Sequence, residues 1–233
     1  MSGTRALKAA IGSLSQNPEQ LLAVNVTDHC VVLAGPGSGK TKTLTTAMVR
    51  TLLEDVPEPR GVACITYNNE CAFELEKRLS ALGLERGTRA FIGTVHGFAL
   101  SQIILPFARC VFPDWPSDIS VISEADKKDV VAQAYASVGG VGDPQNRWKF
   151  AETKRKSEID RSVPAWRDTN PELADFVEAY EGILKARKQI DFDGMPLLAY
   201  DMVSRFPWIS EALKAKYPVL FVDEYQDLGY ALH

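Results

Sequence analysis

The chain has 233 residues, 45% of them hydrophobic and 24% charged, with a formal net charge of −4. These values are ordinary for a soluble globular protein, either one large domain or one domain carrying a sizeable insertion. The net charge does not advertise nucleic-acid binding, although what matters there is a local basic groove rather than the total. Cys30, Cys64, Cys71 and Cys110 show no C-x-x-C spacing. They read as small hydrophobes of a reducing compartment, with Cys30 and Cys64 inside apolar runs, and not as disulfides or a zinc site. Three histidines argue against a histidine-rich metal site. No apolar run approaches the length of a membrane span, so no membrane partner is expected and the cytoplasm is the expected compartment.

In chain order, residues 1–15 form a weakly patterned leader. Asn17-Pro18 then starts a short amphipathic helix, as a cap followed by a first-turn proline. Residues 30–34, CVVLA, read as a short buried strand, followed by the glycine-rich turn Gly35-Pro36-Gly37-Ser38-Gly39. Lys40-Thr41 opens a helix to about Glu54, with Leu44, Met48, Val49, Leu52 and Leu53 at helical spacing. GVACIT, residues 61–66, is a second apolar strand of the kind buried on both faces of a parallel sheet. A helix over residues 69–84 offers Phe73, Leu75, Leu79 and Leu82 to the core. AFIGT, residues 90–94, is a third strand, and a helix-like run covers 98–107. This alternation predicts an α/β fold built on a parallel sheet with right-handed crossovers.

The composition changes near Phe112, towards charge, proline and tryptophan. Helices are predicted near 123–138, 145–158 and 171–189, and no strand before about 217. A fourth apolar strand, 219–222, ends in Asp223-Glu224-Tyr225-Gln226-Asp227. The chain stops soon afterwards at His233, as a fragment of a longer protein would.

The turn at 35–39 carries the chemistry of a phosphate-binding loop. Its glycines let successive N–H groups face a polyphosphate, and the helix start adds positive potential. Lys40 can reach the β- and γ-phosphates and the Thr41 hydroxyl can ligate Mg²⁺. Ala34 stands where G-x-x-x-x-G-K-S/T has its first glycine. Tandem carboxylates at the carboxyl end of a strand supply the other half: Asp223 for Mg²⁺, Glu224 to orient and deprotonate the attacking water. The bland alternatives are a tight strand-to-helix turn and a helix cap. ATP hydrolysis is expected over phosphoryl transfer, since no separate acceptor pattern is visible.

Several segments together resemble the UvrD/Rep-type superfamily 1 DNA helicases. Ala34-Gly35-Pro36-Gly37-Ser38-Gly39-Lys40-Thr41 matches the family's AGAGSGKT, which accounts for Ala34, and DEYQD matches its DEFQD. The resemblance implies a RecA-like nucleoside-triphosphatase sheet flanked by helices, with an inserted all-helical subdomain. It implies ATP and Mg²⁺ as cofactors, Gln20 of SQNPEQLLAV on the adenine, and residues 34–41 with Lys42 around the nucleotide. Lys40, Glu224 and Gln226 would be catalytic, and Thr41 and Asp223 would hold the metal. Two further segments match DNA-facing motifs, Thr66-Tyr67-Asn68-Asn69-Glu70 and Gly93-Thr94-Val95-His96-Gly97. They imply DNA contacts from Thr66, Tyr67, Asn69, Thr94 and His96, with Tyr67 keeping a stacking face and Glu70 replacing a lysine.

The resemblance divides the chain into an ATP-binding core at 1–111, a helical insertion at 112–190 and a return to the core at 191–233. A second RecA-like domain, which would supply arginines to the transferring phosphate, is expected outside this chain. The chain alone is therefore expected to hydrolyse ATP poorly. The implied function is the ATP-binding core of a 3′-to-5′ DNA helicase or translocase in repair or replication. Its partners would be single-stranded DNA or a duplex–single-strand junction, and the second domain. The alternatives are a DNA-stimulated ATPase that does not unwind processively, as in a nuclease-fused or defence system, and a phosphate-loop kinase or binding module. Within the insertion, Arg147, Lys149, Lys154, Arg155, Lys156 and Arg161 lie among Trp148 and Phe150. They read equally as a nucleic-acid patch or as a solvated helix face.

Overall fold

A computed structural model describes residues 2–84, 89–161 and 163–227. The chain forms two compact units, one of residues 2–98 with Ser210–Asp227, the other Ala99–Ile209. The break in composition near 112 falls inside the second unit, because the π-type turns at Ala99–Ile104 pack with both α6 (Leu105–Val111) and α11 (Gly194–Arg205).

The first unit is built on a three-stranded parallel sheet in the order β2 (Ala90–Thr94), β1 (Val62–Thr66), β5 (Val219–Val222). Val62 stands opposite Ala90 and Val219, and Thr66 opposite Thr94. The ladder runs one step further, with Asp223 N donating to Ile65 O at 2.9 Å. Every residue of β1 is buried, as expected for a central parallel strand. One face of the sheet meets α1 (Ser2–Gly12), α3 (Lys40–Arg50, continuing as a π turn to Asp55) and α4 (Asn69–Ala81). Their core holds Leu7, Met48, Val49, Leu52, Val62, Cys64, Leu75 and Leu79.

Local chemistry explains several boundaries. α2 (Pro18–Asn25) starts with Asn17 accepting from Gln20 N and proline in the first turn, as predicted. In α3 the buried hydroxyls of Thr43, Thr45 and Thr46 bond back to carbonyls one turn earlier, so burial leaves them satisfied. Buried Arg50 donates from Nε to Val24 O at 2.7 Å and pairs with Asp55 at 2.8 Å, tying the end of α2 to α3.

Four expectations are corrected. Residues 30–34 do not form a buried strand: Val31, Val32 and Leu33 are 81%, 51% and 92% exposed, and Cys30 is exposed with them. A strand needs a neighbour for its N–H and C=O groups, and among the described residues none lies beside this run. The sheet ends at β5, whose Leu220 is also exposed. The leader is not featureless, since α1 buries Leu7, and Leu14 follows it into the core. Phe73 is exposed because it lies across α4 from Ala72, Leu75 and Leu79, the buried stripe. A two-residue parallel pair, β3 (Ser120–Val121) with β4 (Gln189–Ile190), forms where no strand was predicted.

The second unit is helical around α7 (Glu124–Ser137), α8 (Pro144–Ser157) and α10 (Pro171–Ala186), close to the predicted spans. Its core joins Val130, Val131, Ala134, Trp148, Ala151, Phe176, Val177 and Tyr180. The short α9 (Ala165–Asp168) lays Trp166 on this core, and α12 (Pro207–Lys216) leads into β5.

Candidate nucleotide site at the carboxyl ends of the strands

The loop before α3 turns tightly, with Ser38 N bonded to Gly35 O at 3.3 Å. Gly37 and Gly39 adopt φ of +75° and +89°, which glycine takes without strain. At Gly39 a second constraint applies. A Cβ there would lie 2.9 Å from Gln20 Nε2, which donates to Ser38 O at 2.5 Å. Gln20, far behind the loop in sequence, thus lies on the loop's backbone. Ala34 closes the other side, its carbonyl accepting from Lys40 Nζ at 3.3 Å.

Lys40 is the first residue of α3, and its ammonium also lies 3.8 Å from Glu224 Oε1. Both side chains are one-third exposed, so the ion pair is solvated and exchangeable. Glu224 holds a left-handed φ of +51°, and its Oε2 accepts from Gln226 Nε2 at 2.5 Å. Burial, then the neighbouring Glu224 charge, raise the Asp223 carboxyl above its ordinary value, while Lys40 pulls the other way. Glu74 of α4 adds negative potential to Asp223, a contribution no motif signals. Thr41 follows Lys40 in the first turn of α3, half-buried, and Lys42 is exposed. The fold thus gathers Gln20, residues 34–41, Asp223, Glu224 and Gln226 in one unit.

The residues expected to face DNA divide. Tyr67, just past β1, is 58% exposed and presents its ring to solvent. Asn68 caps α4 by accepting from Cys71 N at 2.8 Å, which places Asn69 and Glu70 in the first turn. A carboxylate there is favoured by the helix dipole, a local reason for Glu70 where the helicases have lysine. Thr94 Oγ1 accepts from Gly97 N at 3.1 Å and so turns the chain into α5 (Val95–Phe98), which carries His96. Thr66 differs from all of these: it is fully buried, and among the described residues its hydroxyl has no partner.

Much of the basic segment of the second unit meets acidic side chains of the same unit. Arg155 binds both oxygens of Asp191 at 2.6 and 2.8 Å and Glu181 at 2.7 Å. Arg161 pairs with Glu181, Lys154 with Glu158, Lys156 with Asp193, Arg147 with Glu172, and Lys149 reaches Asn146. Burial alone would raise Asp191, but Arg155 and Lys127 outweigh it and hold this carboxyl below its usual range. These cations therefore read as structural ties, and a nucleic acid would have to compete for them.

With this geometry in place, residues 16–232 match the family described as UvrD/REP helicase N-terminal domain. The chain belongs to this family. It is 25% identical over 231 residues to the ATP-dependent DNA helicase PcrA of Staphylococcus epidermidis, covering 93% of this chain and 30% of that protein. It is 24% identical over 229 residues to PcrA of Staphylococcus aureus, covering 92% of this chain and 30% of that protein. The chain thus spans about 30% of the length of these relatives. Among the described residues no helix is long and apolar enough to cross a membrane.

Proposed function

We propose that this UvrD/REP family chain is the ATP-binding core of an ATP-dependent DNA helicase or translocase, with RecA-like architecture in its first unit. The observation that carries this reading is the approach of Lys40 to Glu224 across the loop, with Gln20 on the loop's far side. ATP would lie along residues 34–42, its adenine edge read by the Gln20 amide, which both donates and accepts. Lys40 would turn from Ala34 O and Glu224 towards the phosphates, releasing Glu224 to orient water with Gln226. The donor set fits Mg²⁺, which takes one or two protein oxygens and completes its shell with phosphate and water. Thr41 and Asp223 are such oxygens, and among the described residues no richer cluster of metal ligands exists. Bound Mg²⁺ supplies charge neutralisation at the β- and γ-phosphates.

Single-stranded DNA would cross the same end of the sheet, stacking on Tyr67, with Asn69, Thr94 and His96 at its backbone. The second unit would then contain the inserted helical subdomain expected at 112–190. A second RecA-like domain elsewhere in the full-length protein would complete the ATP site and give 3′-to-5′ stepping in repair or replication. The carboxylate of Glu70, three residues after Tyr67 in the first turn of α4, favours a second reading, a DNA-stimulated ATPase without processive unwinding. Strand displacement by the full-length protein separates the two.

The test is fluorescence anisotropy of labelled single-stranded DNA on the 233-residue chain, with and without a non-hydrolysable ATP analogue and Mg²⁺. Nucleotide-modulated binding that Tyr67→Ala weakens is expected, since a stacked base is worth about 1–3 kcal/mol. Nucleotide binding without any DNA affinity would leave a phosphate-loop module and overturn the helicase reading.

A further inference from the structure

Thr66 is the one polar residue of the sheet whose burial is complete and whose hydroxyl, among the described residues, is left without a partner. Leaving a buried hydroxyl unpaired is costly, and such groups in folded proteins call for a reason. Its position supplies one. Thr66 stands opposite Thr94 in the register of β1 and β2, and the β1–β5 register, Cys64 opposite Phe221, carries on to place Thr66 level with Asp223. Alternate residues of a strand share a face, so Thr66 and Asp223 point to the same side as Cys64 and Phe221. That side is the one packed by α3 and α4. Asp223 is felt there: after burial, its charge is the next cause pushing the Cys64 thiol up to about 12. Thr94 on β2 has a partner of its own, accepting from Gly97 N. The unpaired hydroxyl therefore lies level with Asp223 in the extended register, on the face packed by α3 and α4, while the next residue, Tyr67, is exposed.

We propose that Thr66 is a positioning residue of the nucleotide–metal site and not a DNA contact. Its hydroxyl fixes the Asp223 carboxylate, directly or through one water, in the orientation that serves Mg²⁺. This rests on the nucleotide-site reading above. The extended register brings Asp223 level with this hydroxyl, and a water on that carboxylate would give it a partner. The adjoining Tyr67 and Asn69 would keep the DNA role, so that one segment of β1 and α4 serves both sites from opposite sides of a single residue step.

The experiment compares Thr66→Val, which keeps shape and removes the hydroxyl, with Thr66→Ser, which keeps it. Binding of a fluorescent ATP analogue is titrated with Mg²⁺, repeated in EDTA, and paired with single-stranded DNA anisotropy and thermal melting. Thr66→Val should raise the Mg²⁺ midpoint about three- to tenfold, the worth of one lost hydrogen bond. Metal-free nucleotide affinity and DNA affinity should stay unchanged, the melting temperature should hold or rise, and Thr66→Ser should match the wild type. An unchanged midpoint in Thr66→Val overturns the proposal, as does a loss of DNA affinity at a wild-type midpoint. Should Thr66→Val fail to fold, Thr66→Ala against Thr66→Ser gives the same comparison. A wild-type chain with no Mg²⁺-dependent nucleotide binding would instead overturn the nucleotide-site reading, and this proposal with it.

Discussion

Lys40 Nζ lies 3.8 Å from Glu224 Oε1, so the phosphate loop and the end of β5 meet through a lysine and a carboxylate remote in sequence. The pair is solvated, and pairs of this kind contribute about 0–1 kcal/mol to stability. Lys40→Met should therefore leave the melting temperature nearly unchanged. It should weaken nucleotide binding by about ten- to a hundredfold, since a hydrogen bond to a charged group is worth about 1.5–3 kcal/mol. Titration with a fluorescent ATP analogue, alongside thermal melting, reads both quantities.

Glu224 holds a left-handed φ of +51°, a conformation that costs a non-glycine residue about 1–2 kcal/mol. Glu224→Gly should relieve this strain and hold or raise the melting temperature while abolishing hydrolysis. Glu224→Gln should abolish hydrolysis too, without the gain in stability. If Glu224→Gly melts well below the wild type, the strain account is wrong.

Gly39 is constrained twice, by φ of +89° and by Gln20 Nε2 at 2.9 Å from where a Cβ would sit. Gly39→Ala should cost about 1–2 kcal/mol through the backbone alone. It should also push the Gln20 amide off Ser38 O and lower nucleotide affinity. The pairing of Gly39→Ala with Gln20→Ala should be non-additive, because the two residues are in contact. Additive losses in a double-mutant binding cycle would show that the steric contact does not matter.

Arg155 and Asp191 are both about 2% exposed at the side chain and joined by two hydrogen bonds. Removing one partner leaves the other charge buried, so Arg155→Met should destabilise by about 3–5 kcal/mol. Arg155→Met combined with Asp191→Leu should recover much of that loss in chemical denaturation.

The same pair gives a pH dependence. The folded chain protonates Asp191 less readily than the unfolded chain does, because Arg155 and Lys127 outweigh burial. The stabilisation is thus complete above the ordinary aspartate pKa of about 3.9 and is lost as pH falls through the lower folded value. Glu181, partly buried yet held down by Arg161 and Arg155, acts in the same direction. Asp191→Asn should flatten the acid limb of a stability–pH curve measured by urea denaturation.

Much of the site was legible in the chain because its chemistry is local. Gly37, Gly39, Lys40 and Thr41 are set by the backbone demands of one turn, and Asp223-Glu224 by the end of one apolar strand. The apolar runs of β1, β2 and β5 announced a parallel sheet for the same reason: a strand buried on both faces has to be apolar throughout. The cap at Asn17 was readable from its side chain and the proline that follows it. What lay beyond the sequence depended on partners distant in the chain. CVVLA has the residues of a buried strand but is exposed, because strand formation needs a neighbouring edge and a segment does not carry its own. The cations from Arg147 to Arg161 could have faced a polyanion or the protein, and only the folded chain shows Arg155 and Arg161 turned onto Glu181 and Asp191. Thr66 is one more polar residue in a motif until the fold places it opposite Thr94 in the sheet and burial removes it from solvent. Composition and spacing settle which groups a chain possesses, whereas burial and pairing are properties of neighbours, and neighbours exist only once the chain has folded.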